Sequence, residues 1–363
     1  MENVEREMFS GKQQRAYYLD LLRVILTMLV FFQHASISFG ASGGWYYVSK
    51  ECIKGLPVAL LSMSMGVNQS FFMSLFFFIS AYLMPHSFDR KGPKHFFIDR
   101  FKRLFIPLLI FIFILNPLLI YLIYGKWGGY GFGPMWFVFT LLVFEMSYAL
   151  YRILCPKRIS IKWKRPTNFG IIVFMVVAGT VAFALRLFCP TGKSILWLQL
   201  GYFSLYVFMY ALGIVANRNR WLDELHISNA LPWFLIAIFI GIPSLMYVLH
   251  KYIATVSLFS GGFNMQALFY AFWEPVMCVG ICYFLLVYSK VHFNFPRPLL
   301  QTLSGDSYAF YIIHPFFVVG CTFLSNLLSI SPLARWGLVL LIGIPCCFVL
   351  AHCLRFLIGK KWI

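Results

Sequence analysis

Charge is scarce in this chain of 363 residues. Only 12% are Asp, Glu, Lys or Arg, and the acids number 12 against 30 bases. A soluble domain carries about a quarter charged residues and about 45–50% apolar ones. Here the apolar share is 61% and the aromatic share 20%, with 41 Phe, which excludes a water-facing shell around one soluble core. Such a chain is at home in lipid. Polar linkers and low-complexity tracts are missing too, so no soluble appendage is expected. No convincing internal repeat is seen, which disfavours an inverted-repeat transporter. The nine cysteines lack any zinc spacing, and no metal site is expected. Cys278 and Cys282 lie one helical turn apart in an apolar run and read as packing residues. Cys52 and Cys189 alone fall in segments expected outside, so they are the one candidate disulfide.

What is present is a series of apolar stretches long enough to span a bilayer. Ten are read, at about 18–39, 69–86, 102–124, 133–151, 168–188, 197–216, 229–249, 265–289, 306–328 and 333–357. The expected fold class is therefore all-α, a polytopic membrane protein of about ten transmembrane helices. A net charge of +18 would suggest nucleic-acid binding in a soluble protein. In a membrane protein it is explained by basic loops on one side. With both termini cytoplasmic, 23 of the 30 Lys and Arg residues fall inside, and seven fall outside: Lys50, Lys54, Lys126, Arg186, Lys193, Lys251 and Arg335. The inner set includes Arg6, Lys12 and Arg15, the runs Arg90 to Arg103 and Arg152 to Arg165, Arg218, Arg220, Lys290, Arg297, Arg355, Lys360 and Lys361. No nucleic-acid partner is expected. The first span carries Arg23, Gln33 and His34 with no clean cleavage site after it, so it reads as retained. Outside, 40–68 is the longest expected loop and 251–264 the next.

Ionisable groups within spans mark function by default. Arg23 and His34 are eleven residues apart, and eleven steps of about 100° return to within about 20° of the start. They share one stripe of the first span, about 16 Å apart along the axis. Asp20 lies near that stripe and can pair with Arg23 at i,i+3. His34 is suited to proton transfer near neutral pH; equally, it can be a packing histidine and the Asp20–Arg23 pair an interfacial anchor. Arg100 and Arg103, with Lys102 between, lie at the inner mouth of the third span. Two guanidinium forks there can hold phosphate or serve as a positive-inside anchor. Glu145 and Glu274 are carboxylates within the fourth and eighth spans, each in need of a partner; Arg186 or a histidine can supply it. Asp306, Ser307, Tyr308 and His314 line the start of the ninth span, with Asp306 a possible helix cap. His352 and Arg355 read as end-of-helix residues at the inner interface.

Several segments, in order, resemble the acyltransferase 3 family. They are Arg15 to Arg23 leading through Phe31, Phe32 and Gln33 to His34, then Phe76 to Leu83, then Arg100-x-x-Arg103 with Pro107. Next come Gly133 to Phe137, Tyr210 to Gly213 with Asn219 to Trp221, and Leu303 to Tyr308 through Tyr311 to His314. The likeness covers nearly the whole chain, with two departures. Ala81 stands where the second-span motif usually has Gly, and Thr140 lies near where some relatives carry an acid.

The resemblance implies one transmembrane acyltransferase domain over 1–363, in the plasma membrane, acting on an acyl-CoA co-substrate with no tightly bound cofactor. Acetyl ranks before succinyl, and a succinyl donor would want a further cation, for which Arg186 is the outer candidate. Acceptors would be saccharides, glycans or lipid-linked sugars beyond the membrane. The compact chain with Glu274 looks nearest to enzymes that modify periplasmic glucans. By resemblance, Arg23 and His34 carry over as the R-x10-H pair and Arg100 and Arg103 as the R-x-x-R pair. The expected site has His34 as base, with Asp20, Glu145 and Glu274 as supporting catalytic carboxylates. Arg23, Arg100, Lys102 and Arg103 would hold the CoA phosphates. The alternative class is a secondary transporter of a small polar or anionic solute.

Overall fold

A computed structural model describes residues 15–155 and 163–359. The basic residues Arg6, Lys12, Lys157, Arg158, Lys162, Lys360 and Lys361, and both chain ends, lie outside the described residues. The described residues contain nine helices long and apolar enough to cross a membrane: α1 Tyr17–Ser38, α2 Leu56–Tyr124, α3 Gly133–Leu154, α4 Asn168–Phe188, α5 Leu200–Arg218, α6 Ile227–Lys251, α7 Met265–Phe293, α8 Pro298–Ser325 and α9 Pro332–Ile358. Helix is the natural choice for such segments, because lipid offers no partner to an unpaired backbone group.

The longest, α2, accounts for the tenth expected span. Its 69 residues would reach about 100 Å if straight, over three times a hydrocarbon core. It is not straight. Gly92 has φ 68° and ψ 168°, a conformation that glycine adopts without a Cβ clash, and Pro93 follows it. Gly66 and Gln69 line a cleft with His34, Ser87 and Arg100 line a chamber with Arg23, and Asn116 and Tyr124 return to the cleft. The run therefore goes from one end of the bundle to the other and back, reversing at Gly92. Two expectations are corrected along α2. Residues 56–68, expected in an outer loop, are helical behind Gly55 and Pro57, because Leu61, Met65 and Asn68 bury one face. The gap expected at 87–101 is helical apart from Gly92.

Prolines shape the helices by a common rule. Three wide, π-type turns, Phe101–Phe105, Phe111–Leu115 and Ala237–Gly241, each end two residues before a proline: Pro107, Pro117 and Pro243. Proline lacks an N–H and its ring presses on the carbonyl four residues back. That carbonyl belongs to Arg103, Phe113 or Phe239, the middle residue of each turn, and widening the turn relieves both faults.

Helix α1 packs against α2, α7, α8 and α9, while α2 also packs on α5, and α7 lies between α4 and α6. Lipid-facing residues such as Phe113, Phe239, Leu341 and Phe356 are largely exposed, so the core is marked by small residues at close crossings. Gly213 of α5 is one: a Cβ there would lie 2.5 Å from the Phe78 carbonyl oxygen and 2.8 Å from the Ala81 Cβ. The Ala81 methyl is thus accommodated by Gly213 across the interface. Gly280 of α7 meets the Trp233 carbonyl in the same way, at 2.5 Å. Cys52 and Cys189 are both free thiols, so the candidate disulfide is absent. Gly213→Leu is expected to push α2 and α5 apart and to lower the unfolding midpoint of the detergent-solubilised protein by several degrees. Gly44→Ala, where a Cβ meets nothing within 4 Å, is expected to leave it unchanged.

Candidate active site

Two concavities lie toward opposite ends of α1. The smaller, of about 280 Å³, is lined by Arg23 of α1, Arg90, Lys91, Arg100 and Arg103 of α2, and Glu145 of α3. Five cations thus face one carboxylate. Arg100 Nε stands 2.8 Å from Glu145 Oε2, and its guanidinium lies 4.8 Å from the Phe96 ring centre. Glu145 is 3% exposed, so its charge depends on Arg100. Asp99 takes Lys91 at 2.8 Å and the far side of Arg100 at 3.6 Å. Arg90 and Arg103 have no ion pair among the described residues, and are the free donors for an anion. Lys102 is exposed and is not among the residues lining the chamber.

Asp20 belongs to this end as well. Its Oδ1 accepts from Ser304 at 2.8 Å and its Oδ2 from Arg15 at 2.8 Å, with Arg23 at 3.7 Å. Fourteen residues of helix, about 21 Å, separate it from His34. Asp306 is not a cap: it lies two turns inside α8, 1% exposed, and accepts from Arg355 and pairs with His352 Nδ1, both at 2.9 Å. Those two α9 residues therefore clamp α8 rather than merely end a helix.

The larger concavity, of about 1180 Å³, contains His34. Trp45, Tyr46, Trp136, Trp197, Tyr206 and Tyr270 present aromatic faces to it, with Gln33, Gln69, Asn116 and Gln199 among its polar groups. No Asp, Glu, Lys or Arg appears among the described residues that line it. The segment 39–55 folds across this end. Trp45 stacks on His34 with ring centres 3.8 Å apart and 19° between planes. Tyr46 donates to Asn116 Oδ1 at 2.5 Å, and Ser49 Oγ donates to Asn326 Oδ1 at 2.7 Å. Behind His34, away from the cleft, stands His314, whose Nε2 is 3.1 Å from His34 Nδ1.

Glu274 and Arg186 form an ion pair behind the aromatic wall. Arg186 is 1% exposed, donates to Glu274 and to the Gly201 carbonyl, and lies 5.0 Å from the centre of the Tyr270 ring. Neither residue lines the cleft. The structure thus brings Arg23, Arg100, Arg103 and Glu145 together, and leaves His34 without any of the three carboxylates expected to support it. Trp45, Gln69 and Tyr206 were missed because single aromatic or amide residues carry no signal in so aromatic a chain. His314 was named among the ninth-span polar residues, but nothing along the chain tied it to His34. Removing one partner of a buried pair strands the other charge at about 3–5 kcal/mol. Glu274→Gln is therefore expected to lower thermal stability sharply, and the double change Arg186→Met with Glu274→Leu to recover most of it.

Comparison with known sequences gives the family. The profile described as an acyltransferase domain matches residues 16–352, almost the whole chain. No curated protein and no solved structure matches it. The chain belongs to the acyltransferase 3 family and is a multi-pass membrane acyltransferase.

Proposed function

We propose that this protein transfers an acetyl group from cytoplasmic acetyl-CoA to a hydroxyl of a saccharide or lipid-linked glycan on the outer side of the plasma membrane. The observation that carries this reading is the pairing of two unlike concavities along one helix stripe. One end is cationic and suits phosphates; eleven residues on, the other is neutral, aromatic and holds a histidine. A CoA thioester has that polarity, anionic at one end and reactive at the other. The rise of about 16 Å between Arg23 and His34 is spanned by an extended pantetheine arm.

Arg100, Arg103, Arg90 and Arg23 bind the CoA phosphates by charge-assisted hydrogen bonds. Glu145 fixes Arg100, and Asp20 draws Arg15 and Arg23 to the chamber, so both carboxylates position cations rather than act on substrate. The Tyr308 hydroxyl lies on α8 between Ser304, at the chamber end, and Tyr311, at the cleft. It is buried with no hydrogen-bond partner among the described residues and suits an amide of the arm. His34 is the general base on the acceptor hydroxyl. Asn68 donates to Gln33 Oε1 at 2.7 Å, so Gln33 turns its NH2 group to the cleft as a donor for the thioester oxygen.

The neutral aromatic cleft supports a saccharide acceptor, since rings stack on the C–H faces of sugars while amides meet their hydroxyls. It also supports acetyl over succinyl. Arg186, the one outer cation offered for a succinyl carboxylate, is neutralised by Glu274 and walled off. The orientation, with the Arg23 end cytoplasmic, rests on the excess of Lys and Arg at that end.

Purified protein in nanodiscs is expected to bind acetyl-CoA and to consume its thioester when a glycan acceptor is present. Arg103→Ala should weaken acetyl-CoA binding at least tenfold. His34→Ala should bind normally but lose about 10²–10⁴-fold in turnover. Succinyl-CoA should turn over more slowly than acetyl-CoA. A folded sample that binds no acyl-CoA, or that moves solute without consuming thioester, would overturn the enzyme reading in favour of transport.

A further inference from the structure

We propose that His314 is a positioning residue that fixes the tautomer of His34 and so turns the lone pair of His34 Nε2 toward the cleft. This rests on the reading of His34 as the base. The argument begins with Pro315. In a helix the Tyr311 carbonyl accepts from the N–H of residue 315, but proline has none. The freed carbonyl is taken instead by the side chain one residue before the proline: His314 Nδ1 lies 2.6 Å from Tyr311 O. A carbonyl oxygen only accepts, so His314 carries its proton on Nδ1.

A neutral imidazole has one N–H, and Nε2 of His314 is then an acceptor. Both rings are neutral here, because neither has a carboxylate partner among the described residues and an unpaired buried imidazolium is costly. His314 Nε2 stands 3.1 Å from His34 Nδ1, and two lone pairs would repel at that distance. His34 therefore carries its proton on Nδ1, and its lone pair is on Nε2. His314 is buried and does not line the cleft, whereas His34 does. The ring edge opposite His314 is thus the one that meets substrate. Trp45, stacked on the same ring at 3.8 Å, holds its plane.

The chemistry follows. The acceptor O–H proton moves to His34 Nε2 while the oxygen bonds the thioester carbonyl carbon. The imidazolium so formed donates Nδ1–H to His314 Nε2, now as a stronger, charge-assisted bond. When the C–S bond breaks, the CoA thiolate takes the proton back from Nε2, giving ester and thiol. His314 does for His34 what a carboxylate does in a serine triad, without placing a permanent negative charge in the membrane.

Two variants and one spectrum test this. His314→Phe keeps a ring but removes the acceptor; His314→Gln puts an amide oxygen near the position of Nε2. His314→Phe should lower kcat by roughly 10–100-fold, the scale for losing a partner that orients a working imidazole. The KM for acetyl-CoA should stay within about twofold, because the phosphate chamber is a separate site, and His314→Gln should recover much of the loss. Nitrogen-15 spectra of histidine-labelled protein, with His34 assigned by difference against His34→Ala, should show Nδ1–H and a bare Nε2. In His314→Phe and in Pro315→Ala, which restores a competing helix N–H, the His34 signal should move toward the Nε2–H form. An Nε2–H signal for His34 in the unsubstituted protein would overturn the proposal, as would full activity in His314→Phe, or His314→Gln no better than Phe. The spectrum of the unsubstituted protein, assigned against His34→Ala, decides even if the His314 and Pro315 variants do not fold. It also needs no acyl chemistry: the expected tautomer in a protein without transferase activity would refute the enzyme reading and leave the histidine pair standing.

Discussion

A hydrocarbon surround donates and accepts nothing, so a backbone group that faces it must find its partner in the chain itself. That constraint makes the spans helical, and it governs each place where a helix departs from the ideal. The wide turns before Pro107, Pro117 and Pro243 are repairs of carbonyls that proline strands. At Pro315 the repair is made by a side chain instead, and the histidine recruited for it becomes part of the site. One backbone fault thus gives a curve in some helices and turns a buried histidine ring toward His34 in another.

The same constraint sorts the charges. Buried carboxylates are matched with cations from another helix or from a distant arm of α2: Glu145 with Arg100, Glu274 with Arg186, Asp306 with Arg355 and His352. Each pair ties segments together where apolar contact alone has little preference between protein and lipid. Among the described residues Arg90 and Arg103 have no ion pair, and at their end of the bundle they can meet an anionic ligand. At the other end the described residues lining the cleft include no Asp, Glu, Lys or Arg, and a neutral imidazole beside another neutral imidazole fits that setting. On the proposed function, a cationic chamber at one end and an aromatic cleft at the other separate recognition of the donor from chemistry on the acceptor.

Much of this was legible in the residues. The run of apolar segments, the excess of basic residues and the eleven-residue step from Arg23 to His34 all repeat at short range, within one helix. Such signals survive in sequence because helical geometry converts spacing into position. The Arg100 and Arg103 pair was legible for the same reason, being one turn apart. Boundaries were less so: residues 56–68 mix Ser, Gly and Asn with apolar groups and are held helical by burial of Leu61, Met65 and Asn68.

By itself the sequence determined that this is a helical membrane protein with a signature of acyl transfer, and which residues share a stripe of a given helix. Only the tertiary structure decided which stripe faces which. Glu145 and Glu274 looked alike along the chain, yet one pairs with Arg100 at the cationic chamber and the other with Arg186 behind the wall of the cleft. Asp20, expected among the catalytic carboxylates and as a partner of Arg23, lies beside Arg23, Arg15 and Ser304 about 21 Å along the helix from His34. His314, 280 residues downstream, is the true neighbour of His34. Pairing across helices depends on the rotation and depth of each, and these are set by packing of many small contacts, which no local spacing encodes.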